Sequence, residues 1–302
     1  MQRLGAPVWL LAIGFLSACD QIEDLRERFL PRDEAGPSVS SELAAAIDLY
    51  EAGEMRAAAD ELETLVVVEP SEPDAFYYLG RCYLGLAGDE ADPASELTPE
   101  ERQSLNAFNT ALTLNPRHAE AAMGIGDLYA RRVPAERRRR RRSEQEQEAE
   151  SFALEAYQRA VTIDPKQAEA QRRFAAFLER VGQVELAEAA HKAAAAAAQG
   201  NPDIAPEYYA AYGRFLASQP DRAEEAINQL ELAQMVRGDD PQLRQEIAEL
   251  YSRIGHQYFE EQRYSLAEQT LTEAYRMFPD KSYPEAQKTS STLNQLRAIR
   301  GR

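Results

Sequence analysis

Residues that could do chemistry are few in this sequence, and they do not converge. The three histidines, His118, His191 and His256, stand far apart and show no metal-ligand spacing. There is no His-Glu-x-x-His, no Gly-x-Ser-x-Gly and no glycine-rich phosphate loop. Carboxylates are abundant but spread at surface spacing, so no acid–base pair is specified. These patterns argue against an enzyme, and no metal or cofactor is expected. The densest charge is the run Arg137, Arg138, Arg139, Arg140, Arg141 and Arg142, followed after Ser143 by Glu144, Glu146, Glu148 and Glu150. Two readings stand open. The run could dock an anionic lipid, an acidic protein or a glycan, at about 1 kcal/mol per basic residue near a lipid surface. It could instead be neutralised within the chain through Arg140–Glu144 and Arg142–Glu146, i,i+4 pairs in the weaker orientation.

One thiol has a context. Arg3 precedes the apolar run Val8 to Leu16, which at about nine residues is far short of the roughly 20 that span a bilayer, so it reads as a secretory signal. Leu16-Ser17-Ala18-Cys19 then resembles a bacterial lipobox. That resemblance implies cleavage before Cys19 and lipid attachment there; the alternative is an ordinary signal peptide with a chance cysteine. Several acyl chains would anchor the protein stably where one would not. Asp20 resembles the retention signal of inner-membrane lipoproteins in enterobacteria, which favours the inner membrane over the outer. Residues 1–18 are thus expected to be the signal and 19–39 the lipidated cysteine and a flexible tether, interrupted by Pro31 and Pro37. About 20 extended residues reach at most roughly 65 Å. With Cys19 lipidated, Cys82 has no partner for an internal disulfide. It reads as a small buried hydrophobe, or as a reactive or intermolecular thiol. The formal charge of −17 argues against nucleic-acid binding, as does the export signal.

The elements that would position any site are repeated helix pairs. Tyr251, Ile254 and Tyr258 share one helical face, and Ala267, Leu271 and Ala274 another. Small residues at Gly255 and Ala267 let two antiparallel helices approach, and Pro279 stops the second. The pattern recurs as Gly53, Ala58, Leu62 and Pro70; as Leu79, Gly80, Tyr83, Phe108, Ala111 and Pro116; as Gly126, Tyr129, Ala153, Tyr157, Ala160 and Pro165; and, less completely, around Ala175 and Ala187 and around Gly213 and Leu230. Ala153 and Ala187 stand 34 apart, as do Ala46 and Gly80. In residue types and period this resembles the tetratricopeptide (TPR) repeat. The resemblance implies an all-α, right-handed TPR solenoid over residues 40–281. About six hairpins are expected near 39–72, 73–118, 119–167, 168–201, 206–239 and 248–281, with a capping helix and tail over 282–302. Insertions are expected at 88–99, which is acidic, and at 132–147, which holds the arginines. The first should end in a capped helix start at Thr98-Pro99-Glu100-Glu101. Both insertions should lie along one edge of the solenoid.

TPR arrays bind partners in a concave groove lined by set positions of each first helix. By that resemblance the groove residues are Asp74, Tyr77, Arg81 and Leu84, then Glu120, Met123 and Asp127, then Glu169, Arg172, Glu179, Arg214, His256 and Phe259. The mixture suits a peptide or helix of a protein partner, or these residues are merely exposed. The lysine and asparagine of the chaperone-binding carboxylate clamp are absent, which puts a clamp for C-terminal peptides in doubt. The function expected is a non-catalytic, lipid-anchored adaptor facing the periplasm, in assembly of an envelope complex such as pilus, secretion or cell-wall machinery. The alternative is a binder of an anionic lipid or glycan through the arginine edge.

Overall fold

The computed structural model describes residues 39–88, 95–134, 143–236 and 240–300. Within them are thirteen helices and no strand. In chain order they are α1 (Val39–Glu51), α2 (Met55–Val68), α3 (Pro73–Leu86), α4 (Pro99–Leu114), α5 (Ala119–Ala130), α6 (Glu144–Ile163), α7 (Ala168–Val181), α8 (Val184–Ala198), α9 (Ala205–Ala217), α10 (Ala223–Val236), α11 (Pro241–Glu260), α12 (Tyr264–Met277) and α13 (Pro284–Arg300). Consecutive pairs from α1–α2 to α11–α12 pack as six hairpins, and α13 packs on both helices of the last. The result is an all-α TPR solenoid.

Local chemistry sets the helix ends. Thr98 and Glu101 form a reciprocal capping box at the start of α4, and Ser143 with Glu146 forms another at α6. Each expected insertion therefore ends in the same device. Asp240 caps α11, with Pro241 in its first turn. Gly53 and Gly182, at φ +81° and +77°, reverse the chain after α1 and α7.

Within a hairpin, the close approach needs a missing Cβ. A Cβ on Gly80 would lie 2.7 Å from the Phe108 ring, one on Gly213 2.8 Å from Leu230, and one on Gly255 2.6 Å from Leu271. The core is drawn out as successive apolar clusters: one around α1 to α3, one from α3 to α7, and one from α7 to α13. No hairpin could bury its apolar face alone. Cys82 is fully buried in the first cluster, and burial pushes its thiol up to about 11. The alanines of α8 bring α9 close, with Ala194 and Ala198 packed on Ala205 and Tyr208.

The packed body reaches further into the insertions than expected. Arg132 and Val133 are buried, and helix resumes at Glu144. Arg132 donates to Glu101 at 2.8 Å and to the carbonyl of Ser95, so the described ends of the two insertions meet. Ser143 is an extended N-cap (ψ 164°), and Glu146 turns back to the Ser143 amide at 2.8 Å. Arg137 to Arg142 themselves, like Cys19 and residues 19–38, lie outside the described residues.

Candidate functional site

The first helices of neighbouring hairpins touch, α1 with α3, α3 with α5, α5 with α7, and α9 with α11. They line a shared face. Positions three and four apart on each helix project onto it, which is why short sequence patterns can nominate its residues.

Asp127 on α5 is the hub of this face. It accepts from Arg81 on α3 at 3.1 Å, from the Tyr157 hydroxyl on α6 at 2.8 Å, and from Arg173 on α7. Arg81 also donates to the Tyr50 hydroxyl at the end of α1, at 3.1 Å. Arg173 donates to Glu169 at 2.6 Å, and Arg172 clasps the same carboxylate with two bonds of 2.8 and 2.7 Å. Tyr208 on α9 completes the line by donating to Glu169 at 3.1 Å. One string of charged hydrogen bonds therefore crosses five hairpins. Burial works against the charge of Glu169, yet the bonds from Arg172 and Arg173 outweigh it and hold the carboxyl down to about 2. Burial, and then Asp127, push the Tyr157 hydroxyl far up, so it stays a donor.

Along the margin, His118 stands 3.1 Å from both Asp74 and Glu120, and Gln167 donates to Glu120 at 2.5 Å. The imidazole beside it holds Glu120 below the usual carboxylate range. Tyr77 is half-buried, its ring 5.3 Å from that of His118 and 6.1 Å from that of Phe108. Burial pushes its hydroxyl up to about 12. Arg214 pairs with Glu246 of α11 at 2.5 Å. With Arg172 it lines a 260 Å³ cavity whose walls also carry Glu207 and Asp240.

Four expected groove residues are buried or engaged within the chain. Met123 and Leu84 are buried in the second apolar cluster, because contact between α3 and α5 covers those positions. His256 is engaged at the cap, 2.6 Å from the Ser252 carbonyl and 3.1 Å from Thr292 of α13. Phe259 packs on the last cluster and on Tyr264, 5.9 Å away. Glu179 is exposed but approaches His191 of its own hairpin at 2.6 Å.

Sequence reasoning missed Arg173, whose neighbour Arg172 fits the repeat position while Arg173 makes the cross-hairpin bond. It also missed Arg131 and Arg180. Repetition could have found them: each stands 12 residues after the first residue of its helix, α5 or α7. Each donates to a carbonyl of the preceding first helix, Arg131 to Leu84 at 2.9 Å and Arg180 to Ala130 at 2.6 Å. Among the described residues, no helix is long and apolar enough to cross a membrane, and no group of three or more His, Cys, Asp or Glu could hold a metal ion.

Stacked α-hairpins with a polar face shared by their first helices define a protein-interaction scaffold. The tetratricopeptide repeat family model matches residues 43–95 and 102–168, which hold the first three hairpins apart from the first residues of α1 and α4. Among solved structures it is similar to a thermophilic TPR protein of Thermus thermophilus, at 22% identity over 70% of this chain and 98% of that one, with a TM-score of 0.53. It is also similar to PilF of Pseudomonas aeruginosa, at 13% identity over 84% and 97%, with a TM-score of 0.53. At these identities the likeness is one of fold. No curated protein matches the sequence.

Proposed function

We propose that this protein is a lipid-anchored adaptor of a bacterial envelope, facing the periplasm. Its first-helix face would hold a segment of a partner protein during assembly of an envelope complex. The observation that carries the reading is the string from Arg81 through Asp127 and Arg173 to Glu169. Its members bond across hairpins, yet 15–31% of each side chain stays exposed. A face rigidified by its own hydrogen bonds, carrying both charges and the aromatic Tyr77, can take an extended or helical segment with little reordering. The leader and Leu16-Ser17-Ala18-Cys19 support the anchor, and Asp20 favours the inner membrane.

Crosslinking in intact membranes followed by mass spectrometry tests the reading. Wild-type protein should capture a defined set of proteins, and Tyr77→Ala with Arg172→Glu should lose them. Replacing Arg137 to Arg142 by serine should weaken capture modestly, mostly at low salt, because exposed charges are screened. Capture indifferent to the face but abolished with the arginines would reject the adaptor and favour a binder of anionic lipid or glycan. Cys19→Ala should leave the protein unlipidated and shift it to the soluble fraction.

A further inference from the structure

A cavity of 360 Å³ opens where the C-terminal ends of α1, α3, α5 and α7 come together. Three guanidiniums line it, those of Arg81, Arg131 and Arg180, against one carboxylate, Asp127. On a chain of formal charge −17 this is a local reversal of sign. Asp127 offsets only part of it, because its single charge is shared between Arg81 and Arg173, and Arg131 and Arg180 have no carboxylate of their own in the lining.

The arginines also do more than cap helix ends. Helix C-termini are negative and attract cations, and one nitrogen each of Arg131 and Arg180 meets that demand at the carbonyls of Leu84 and Ala130. Nη2 of Arg131 is left over. It is shielded from solvent and has no hydrogen-bond partner, a costly state for a charged donor. Tyr50, Met55 and Leu84 give the cavity apolar walls beside these donors. Planar guanidiniums gathered on a chain of net negative charge match a carboxylate, which can take two parallel N–H bonds from one of them.

We propose that this cavity binds the carboxylate side chain of an acidic residue in the segment held by the first-helix face. Arg81, Arg131 and Arg180 are the donors, and the apolar walls receive the residue beside it. The inference rests on that face being a protein-binding face and names the chemistry it selects. It locates specificity in the chain: a partner segment lacking the acidic side chain leaves three arginines facing the single carboxylate of Asp127.

The test is selection of random 12-residue peptides, displayed with both ends blocked, on the full chain. Enriched sequences should share an Asp or Glu next to an apolar residue. A winning peptide, made with an amidated C-terminus, and its Glu→Gln analogue are then titrated by fluorescence anisotropy. Against wild type, Glu→Gln should weaken binding about tenfold or more, the scale of a lost charged hydrogen bond in a shielded site. Against Arg131→Gln with Arg180→Gln the same change should matter less than about twofold. The peptide-side change requires no altered protein, so a misfolded variant cannot hide the answer. Winners with no shared acidic position that still depend on Tyr77 and Arg172 would overturn the cavity and leave the face. Winners indifferent to Tyr77→Ala with Arg172→Glu, or no winners at all, would overturn both. Tighter binding of the same peptide with a free C-terminal carboxylate, together with indifference to Glu→Gln, would overturn the side-chain assignment.

Discussion

Gly126→Ala puts the link between hairpin packing and the face at risk in one substitution. In an open helix, replacing glycine by alanine stabilises by about 0.8–1.0 kcal/mol. At Gly126 a Cβ would stand 2.7, 2.8 and 2.9 Å from three ring atoms of Tyr157. That ring has little room to retreat. It is 3% exposed, it packs on Phe174 and Phe177 with centroids 6.1 and 5.6 Å away, and its hydroxyl holds Asp127 at 2.8 Å. Overpacking costs about 1–3 kcal/mol, and a strained bond to a charged acceptor adds up to about 1.5–3 kcal/mol. After the propensity gain, a net loss of about 1–3 kcal/mol is expected. Tyr157→Leu removes the ring edge, and in that background Gly126→Ala should be neutral or stabilising. Urea unfolding of the four proteins, followed by circular dichroism, closes the double-mutant cycle. A solenoid unfolds in stages when its repeats differ in stability, so amide exchange of α5 and α6 is the second readout. A Gly126→Ala protein more stable by about 1 kcal/mol, or an additive cycle, would refute the argument.

The remaining predictions concern charge. Arg132→Met should destabilise by about 3–5 kcal/mol, because Glu101, 1% exposed, keeps a buried charge whose partner is gone. Adding Glu101→Gln should recover most of that loss in thermal melts, and no recovery would mean the pair acts only through packing. Glu169 has a folded pKa depressed from 4.5 to about 2, so its contribution is present above pH 4.5 and lost as pH falls toward 2. With solvent screening of this partly exposed group it amounts to about 1–2 kcal/mol. Acid titration of stability should therefore flatten in Glu169→Gln over that window, and an unchanged profile would count against the arginine clasp.

Most of the hairpin architecture was legible in local spacing, since four of the six hairpins set a glycine of the first helix against a large residue of the second. Gly80 against Phe108 and Gly255 against Leu271 are contacts a 34-residue period already implies. The Thr98 cap was equally plain, because Thr98 and Glu101 complete their bonds within one helical turn. The candidate face was legible only in part. Repeat position brings Arg81, Asp127, Glu169 and Arg172 to first helices, but it does not say how neighbouring hairpins pack, and Leu84 and Met123 are buried in the second apolar cluster.

By itself, then, the sequence determined the helix pairs, their turns and caps, and the absence of recognisable catalytic motifs, all of which depend on residues a few turns apart. The tertiary structure decided which charges meet. Arg173 rather than Arg172 reaches Asp127, His256 belongs to the cap, and Arg131 and Arg180 converge with Arg81 on one cavity. These contacts join residues 36 to 50 positions apart, on different hairpins or on a hairpin and the cap. Their distances follow from the rotation and translation between stacked units, which the summed packing of whole helices sets and no single repeat encodes.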